Sequence, residues 1–182
     1  MDDIIILLVS LMKVYMILSC DTISCKIGAR TKILDELIRM GLSKKDIHLL
    51  LGPAEVLIQL HGLKDLDEFI HKWFDPIRKL APLEAIIDKT ETLIVNSEGK
   101  SFTEEPYAFL FLNRQPRNSE IVQEKLKGIP KVLSADTVFG PYDVICAVKA
   151  NDNNDLQLLI SQIQKEVPEV QVASTAIVAS LY

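Results

Sequence analysis

In the run Phe139-Gly140-Pro141-Tyr142-Asp143-Val144, a carboxylate stands three residues after a glycine that has to form a tight corner. A carboxylate so placed can take the ammonium of an amino acid while backbone N–H groups exposed at the turn take its carboxylate. Aspartate also commonly caps its own turn, and both readings of Asp143 stand. Ser174 and Thr175 would add hydroxyls from a later strand or remain surface residues, and Tyr142 either walls the pocket or packs.

Other reactive residue types form no such set. His48 and His61 fall on predicted strands and His71 on a predicted helix, none spaced with a Cys, Ser or carboxylate pair for catalysis, so all three read as structural or surface residues. Trp73 and Phe74 have no interleaved basic residues and read as core rather than a platform for bases. Cys20, Cys25 and Cys146 are an odd number without a CxxC pair, which suits a reducing, cytoplasmic location. The gap between Cys20 and Cys25 has no nearby histidine to complete a metal site, so neither metal nor cofactor is expected.

The elements that must position the corner occur twice. Leu51-Gly52-Pro53-Ala54-Glu55-Val56 repeats it 88 residues earlier, and the same offset carries Ile33, Leu34, Glu36 and Ile38 onto Ile121, Val122, Glu124 and Leu126. Cys146 then answers Ile58 and reads as a small core residue. Gly52, Ala54, Glu55 and Thr92 are the degenerate counterparts of the corner set: Ala54 supplies no ring, and Glu55 reaches one methylene further than Asp143. A duplication therefore predicts two domains, residues 12–95 and 106–182, with the polar stretch 96–105 as linker.

In chain order the first unit reads as a strand over 13–19, an amphipathic helix from Ala29 to Met40 closed by Gly41, and a hairpin of Ile47–Leu51 with Val56–His61. A second helix reaches about Leu80 with a bend at Pro76, followed by a strand over 84–95. The second unit repeats this as strand 107–112, helix 119–128, hairpin 132–149, helix 152–166 and strand 170–178. A βαββαβ order is the ferredoxin-like unit. In the second hairpin Val144, Cys146 and Val148 alternate with Ile145, Ala147 and Lys149, so the sheet face away from the helices is too apolar to stay wet. The expected fold class is α+β, tandem ferredoxin-like domains with antiparallel sheets packed face to face.

Composition narrows the partners. The 182 residues carry a formal charge of −5, with 12 basic against 14 acidic side chains up to Val95 and 8 against 11 beyond it. Neither half can neutralise a phosphate backbone, so no direct nucleic-acid partner is expected. The apolar opening run Ile4–Leu18 follows Met1-Asp2-Asp3 and stops short of a membrane span, so residues 1–11 read as an N-terminal extension rather than a leader or anchor.

Residues 106–180 resemble the ligand-binding (RAM) domain of the Lrp/AsnC, or feast/famine, transcription regulators. The resemblance rests on Gly128-Ile129-Pro130-Lys131-Val132, on Phe139-Gly140-Pro141-Tyr142-Asp143-Val144 and on Ser174-Thr175-Ala176-Ile177-Val178. Residues 12–95 match more weakly, and no helix-turn-helix precedes either copy. The resemblance implies a non-enzymatic small-molecule sensor, typically for amino acids, that forms homo-oligomers, lacks its own DNA-binding domain and would have other regulators of that family as its route to transcription. Gly140, Tyr142, Asp143, Ser174 and Thr175 would line its ligand site. The alternatives are a small enzyme on the same α+β topology, or a structural partner that modulates full-length regulators.

Overall fold

The structure is a computed structural model and describes residues 11–20, 29–79, 87–114 and 119–179. The expected N-terminal extension, the long loop with Cys25, and the helix end at Leu80 with the start of the following strand lie outside the described residues, apart from Leu11.

Two sets of elements follow one another. The first is β1 (Met12–Cys20), α1 (Ala29–Arg39), a 3-10 turn (Lys44–Asp46), β2 (Ile47–Leu51), β3 (Val56–Leu63), α2 (Leu66–Phe69), a π turn (Ile70–Phe74), α3 (Asp75–Lys79) and β4 (Ile87–Ser97). The second is β5 (Ala108–Arg114), α4 (Ser119–Gly128), β6 (Val132–Phe139), β7 (Val144–Val148), α5 (Asn153–Glu166) and β8 (Val170–Val178). Asp65 and Asp152 start α2 and α5 by accepting the backbone N–H three residues on, Glu68 and Asp155 respectively, each at 2.8 Å. The distortion expected at Pro76 lies one turn earlier. Proline has no N–H and its ring crowds the carbonyl four residues back, and the chain answers by widening into the π turn, where the Asp75 N–H reaches back to the Ile70 carbonyl.

The eight strands close into one antiparallel barrel in the order β1-β3-β2-β8-β5-β7-β6-β4. This corrects the expected fold class: there are not two ferredoxin-like sheets stacked face to face, because the free edges of the two halves join. The seams are short, Leu50↔Val178 and Leu51↔Ile177 between β2 and β8, then Ile94↔Phe139, Val95↔Val138 and Ser97↔Thr137 between β4 and β6. Closure removes the unpaired N–H and C=O groups that open edges would expose.

Strand alternation supplies the three cores this shape requires. Outward residues such as Val14, Met16 and Leu18 pack beneath the helices of the first half, and Leu110, Leu112, Val144 and Cys146 beneath those of the second. Inward residues from both halves, among them Tyr15, Ile17, Leu57, Leu93, Phe109, Phe111, Ile145 and Ala176, fill the lumen. An eight-stranded barrel is about wide enough for side chains to fill, and this one is packed through its middle.

Each glycine corner seats on the last strand of the other half. A Cβ on Gly140 would lie 2.8 Å from the Thr92 carbonyl oxygen, and one on Gly52 would lie 3.0 Å from that of Thr175. A side chain at either corner would force backbone apart.

Candidate functional site

The apolar filling gives way at one end of the lumen, where inward positions carry Lys13 and Tyr15 (β1), His48 (β2), Gln59 and His61 (β3), and Ser134 and Asp136 (β6). Asp136 organises them. Its Oδ2 accepts from the Lys13 ammonium at 2.6 Å and from the Tyr15 hydroxyl at 2.6 Å, while Oδ1 accepts from the Gly99 N–H at 2.5 Å and the Ser134 hydroxyl at 3.2 Å. The Lys13 and Asp136 side chains are only 8% and 1% exposed, so this is a buried ion pair with the other acceptor sites filled. The Lys13 ammonium also lies 4.9 Å from the centroid of the Tyr15 ring. Burial, then the Asp136 charge, pushes the Tyr15 phenol well above its usual range and keeps it a hydrogen-bond donor.

Opposite this set, the Gln59 amide lies 2.8 Å from His48 Nε2, and the His48 ring tilts against Phe109 with centroids 4.9 Å apart. Burial lowers the His48 pKa from 6.5 to about 4, so the ring is neutral at pH 7. His61 is exposed to the same hollow and has no hydrogen-bond partner among the described residues. Partial burial and the neighbouring Lys13 ammonium hold it below the ordinary histidine value, against weaker opposing pulls from Asp46, Glu98 and Asp136.

Irregular strand pairing aims these groups. Met12 pairs with Leu63 but Val14 with Leu60, so an extra residue is accommodated opposite Lys13, and Gly62 takes it up with φ +71°. Further bulges interrupt β4/β6 next to Ser97 and β6/β7 next to Ser134. Bulges cluster where a side chain must be re-aimed, and here three of them ring one barrel end.

Residues 98–106 cross this end and enclose a cleft of about 860 Å³ with Lys13, His48, Gln59, His61 and the Lys44–Asp46 turn. That volume suits a compact organic molecule. Phe102 packs toward the lumen and Pro106 is buried, so the segment expected as a linker lies on the barrel as a strap.

The residues singled out from the sequence sit elsewhere. Asp143 accepts from the Arg114 backbone N–H at 2.9 Å, with the Arg114 guanidinium Nε 3.7 Å away. Glu55 does the same for the Cys20 N–H at 2.8 Å. Tyr142 packs on Phe111 with centroids 5.0 Å apart, Gly140 abuts Thr92 and Gly52 abuts Thr175. Ala54 is buried in the lumen core, and Ser174 pairs with Phe111 across β5/β8. Gly140, Tyr142 and Asp143 thus share one corner, while Thr175 borders the other. Of the mouth residues, Lys13, Tyr15, Gln59 and Asp136 were not singled out, and His48 and His61 were read as structural or surface residues. The available signal was a polar residue at an inward position of an otherwise apolar strand, as in Leu57-Ile58-Gln59-Leu60 and Ala135-Asp136-Thr137. Among the described residues, no three His, Cys, Asp or Glu side chains converge to hold a metal ion, and no helix is long and apolar enough to cross a membrane.

Residues 107–182 match the Lrp/AsnC ligand binding domain family. No curated protein matches the chain. Solved structures similar to nearly its whole length include a mutant chlorite dismutase from Candidatus Nitrospira defluvii, 11% identical over 94% of this chain and 91% of that one, with a TM-score of 0.60. An anthrone oxidase-like protein is 13% identical over 93% and 92%, with a TM-score of 0.52. A protein of Lactobacillus acidophilus NCFM, described provisionally as a monooxygenase, is 8% identical over 93% and 99%, with a TM-score of 0.51. At these identities the likeness is one of fold. It nevertheless overturns the expectation of a non-enzymatic amino-acid sensor and transcription-regulator module: the whole chain has a barrel used by proteins named as enzymes, and the regulator-like half is one side of it.

Proposed function

We propose that this chain is a small barrel enzyme that removes a proton from carbon next to a carbonyl in a compact, largely apolar substrate held in the cleft under residues 98–106. The observation that carries the reading is the buried Lys13–Asp136–Tyr15 set facing, across one hollow, a neutral His61 that has no hydrogen-bond partner among the described residues. His61 takes the proton, since its lowered pKa leaves it as free base at neutral pH. Lys13, held in place by its ion pair with Asp136 at 2.6 Å, supplies a preorganised cation for the enolate oxygen that develops. The electrons of the broken C–H bond move to that oxygen, and the proton rests on the imidazole until it returns to carbon or passes to solvent. His48, held neutral between Gln59 and Phe109, and Phe102 on the strap form walls that leave room for an aromatic body.

Anthrone is a suitable probe, being an enolisable aromatic ketone for which one structural neighbour is named. In D2O under argon, the protein should accelerate exchange of the anthrone methylene protons, followed by NMR. His61→Gln should slow it by roughly 100-fold, within the range one general base typically contributes. No exchange above buffer with anthrone and a panel of smaller aromatic ketones would refute the proposal.

We also infer that the halves descend from one duplicated βαββαβ unit. Gly52 seats on Thr175 and Gly140 on Thr92, while Glu55 and Asp143 each accept the N–H at the end of the first strand of their own half, a reciprocity that supports this origin.

A further inference from the structure

Asp136 lies where the strap and the lysine meet. It is fully buried, and its four donors come from β1, from the strap and from β6 itself. One oxygen takes Lys13 and Tyr15 and the other takes Gly99 and Ser134, so a single planar group spans the cleft floor and its cover. We infer that Asp136 is a positioning residue that ties closure of the 98–106 strap to placement of the Lys13 ammonium. This rests on the role proposed for Lys13.

The packing at Gly99 shows how the tie is made. A Cβ there would lie 2.6 Å from the Ala135 carbonyl oxygen, 2.7 Å from the Ala135 nitrogen and 2.7 Å from Ser134 Oγ. Two of these three atoms are backbone of β6 and cannot swing aside. The strap therefore lies flush on β6 because residue 99 has no side chain, and that contact brings its N–H onto Asp136. The strap's other polar ties are exposed: Lys100 Nζ to the Lys127 carbonyl at 3.2 Å, and Lys149 to Glu104 at 2.5 Å. Exposed ties of this kind hold weakly, which leaves the part-buried Gly99–Asp136 bond as the firmest polar anchor of the segment among the described residues. When the strap lifts, Asp136 loses a donor from Oδ1, water reaches both oxygens, and Lys13 is no longer confined to one geometry. Substrate enters in that state, and closure restores the lysine as it excludes water.

Gly99→Ala in the full chain separates the strap from β6 while leaving the Lys13, Tyr15 and Asp136 side chains intact. Two readouts independent of activity decide the matter: hydrogen exchange of peptides spanning residues 98–106, and reductive methylation of Lys13 by formaldehyde and cyanoborohydride, scored against the exposed Lys44 and Lys45. We expect at least tenfold faster strap exchange and at least fivefold faster Lys13 methylation, with protection of β5 and β7 amides unchanged. Asp136→Asn, which keeps the shape but not the charge, should move both readouts the same way; if it does not fold, Gly99→Ala decides alone. Faster strap exchange with Lys13 methylation within twofold of wild type would overturn the coupling, as would unchanged strap exchange. A wild type inert toward anthrone and the smaller aromatic ketones would instead sink the enolate reading and leave both readouts valid.

Discussion

Replacing Lys13 with methionine probes the ion pair at the barrel mouth. Methionine nearly matches the lysine stem in volume, so the perturbation is removal of a cation 2.6 Å from a carboxylate that is 1% exposed. Breaking a buried pair from one side typically costs about 3–5 kcal/mol, since the remaining charge keeps its desolvation penalty. Asp136 retains the Tyr15 hydroxyl at 2.6 Å, the Gly99 N–H at 2.5 Å and the Ser134 hydroxyl at 3.2 Å, which puts the expected loss near the lower bound, about 3 kcal/mol. For a chain of this length that lowers Tm by roughly 6–12 °C. Lys13→Met/Asp136→Asn removes the stranded charge and leaves a carbonyl that can accept the Tyr15 hydroxyl. The double variant should therefore recover to within about 1 kcal/mol of wild type, about 2 kcal/mol more stable than Lys13→Met alone. Urea unfolding at pH 7 followed by the fluorescence of Trp73, the chain's single tryptophan, measures all three proteins. If Lys13→Met lies within about 0.5 kcal/mol of wild type, or the double variant falls as far as the single, then the pair is solvated and the mouth is not the preorganised site argued here.

Two further outcomes follow from the same geometry. The His48 pKa is depressed on folding from 6.5 to about 4, so the unfolded chain binds the extra proton first. The contribution of this group is therefore whole above pH 6.5 and is lost as pH falls toward 4, by up to about 3 kcal/mol; His48→Gln should flatten that part of a urea-unfolding pH profile, and an unchanged slope would refute the assignment. At the opposite end of the barrel, Gly140→Ala should destabilise by about 1–3 kcal/mol and more than Gly52→Ala, because its Cβ meets a backbone oxygen at 2.8 Å rather than 3.0 Å; calorimetric melting that ranks them the other way would contradict the seating of the corners.

Local pattern was legible in this sequence. The helices Ala29–Arg39, Ser119–Gly128 and Asn153–Glu166 begin and end within a residue of where apolar spacing, Asp caps and glycine stops place them, and Val170–Val178 coincides with its prediction. Both glycine corners turn where Gly-Pro stands, for a reason internal to a few residues of chain. The alternation Val144/Cys146/Val148 against Ile145/Ala147 also established that both sheet faces are covered, one by helices and one by something else.

What covers the second face, and how, was decided by tertiary structure. Alternation fixes which side chains share a face but is silent on where a strand edge finds its partner, and the two seams that close the barrel comprise five residue pairs between halves. Closure then turns inward-facing exceptions into a site. Lys13 and Asp136 are 123 residues apart and read separately as stray charges in apolar strands; only the barrel brings them to 2.6 Å, and only with water excluded does that pair become a preorganised charge. The stretch around Gly99 has the composition of a flexible linker, and nothing local distinguishes it from one. It is a strap because the backbone of β6 happens to lie where a side chain at residue 99 would have been.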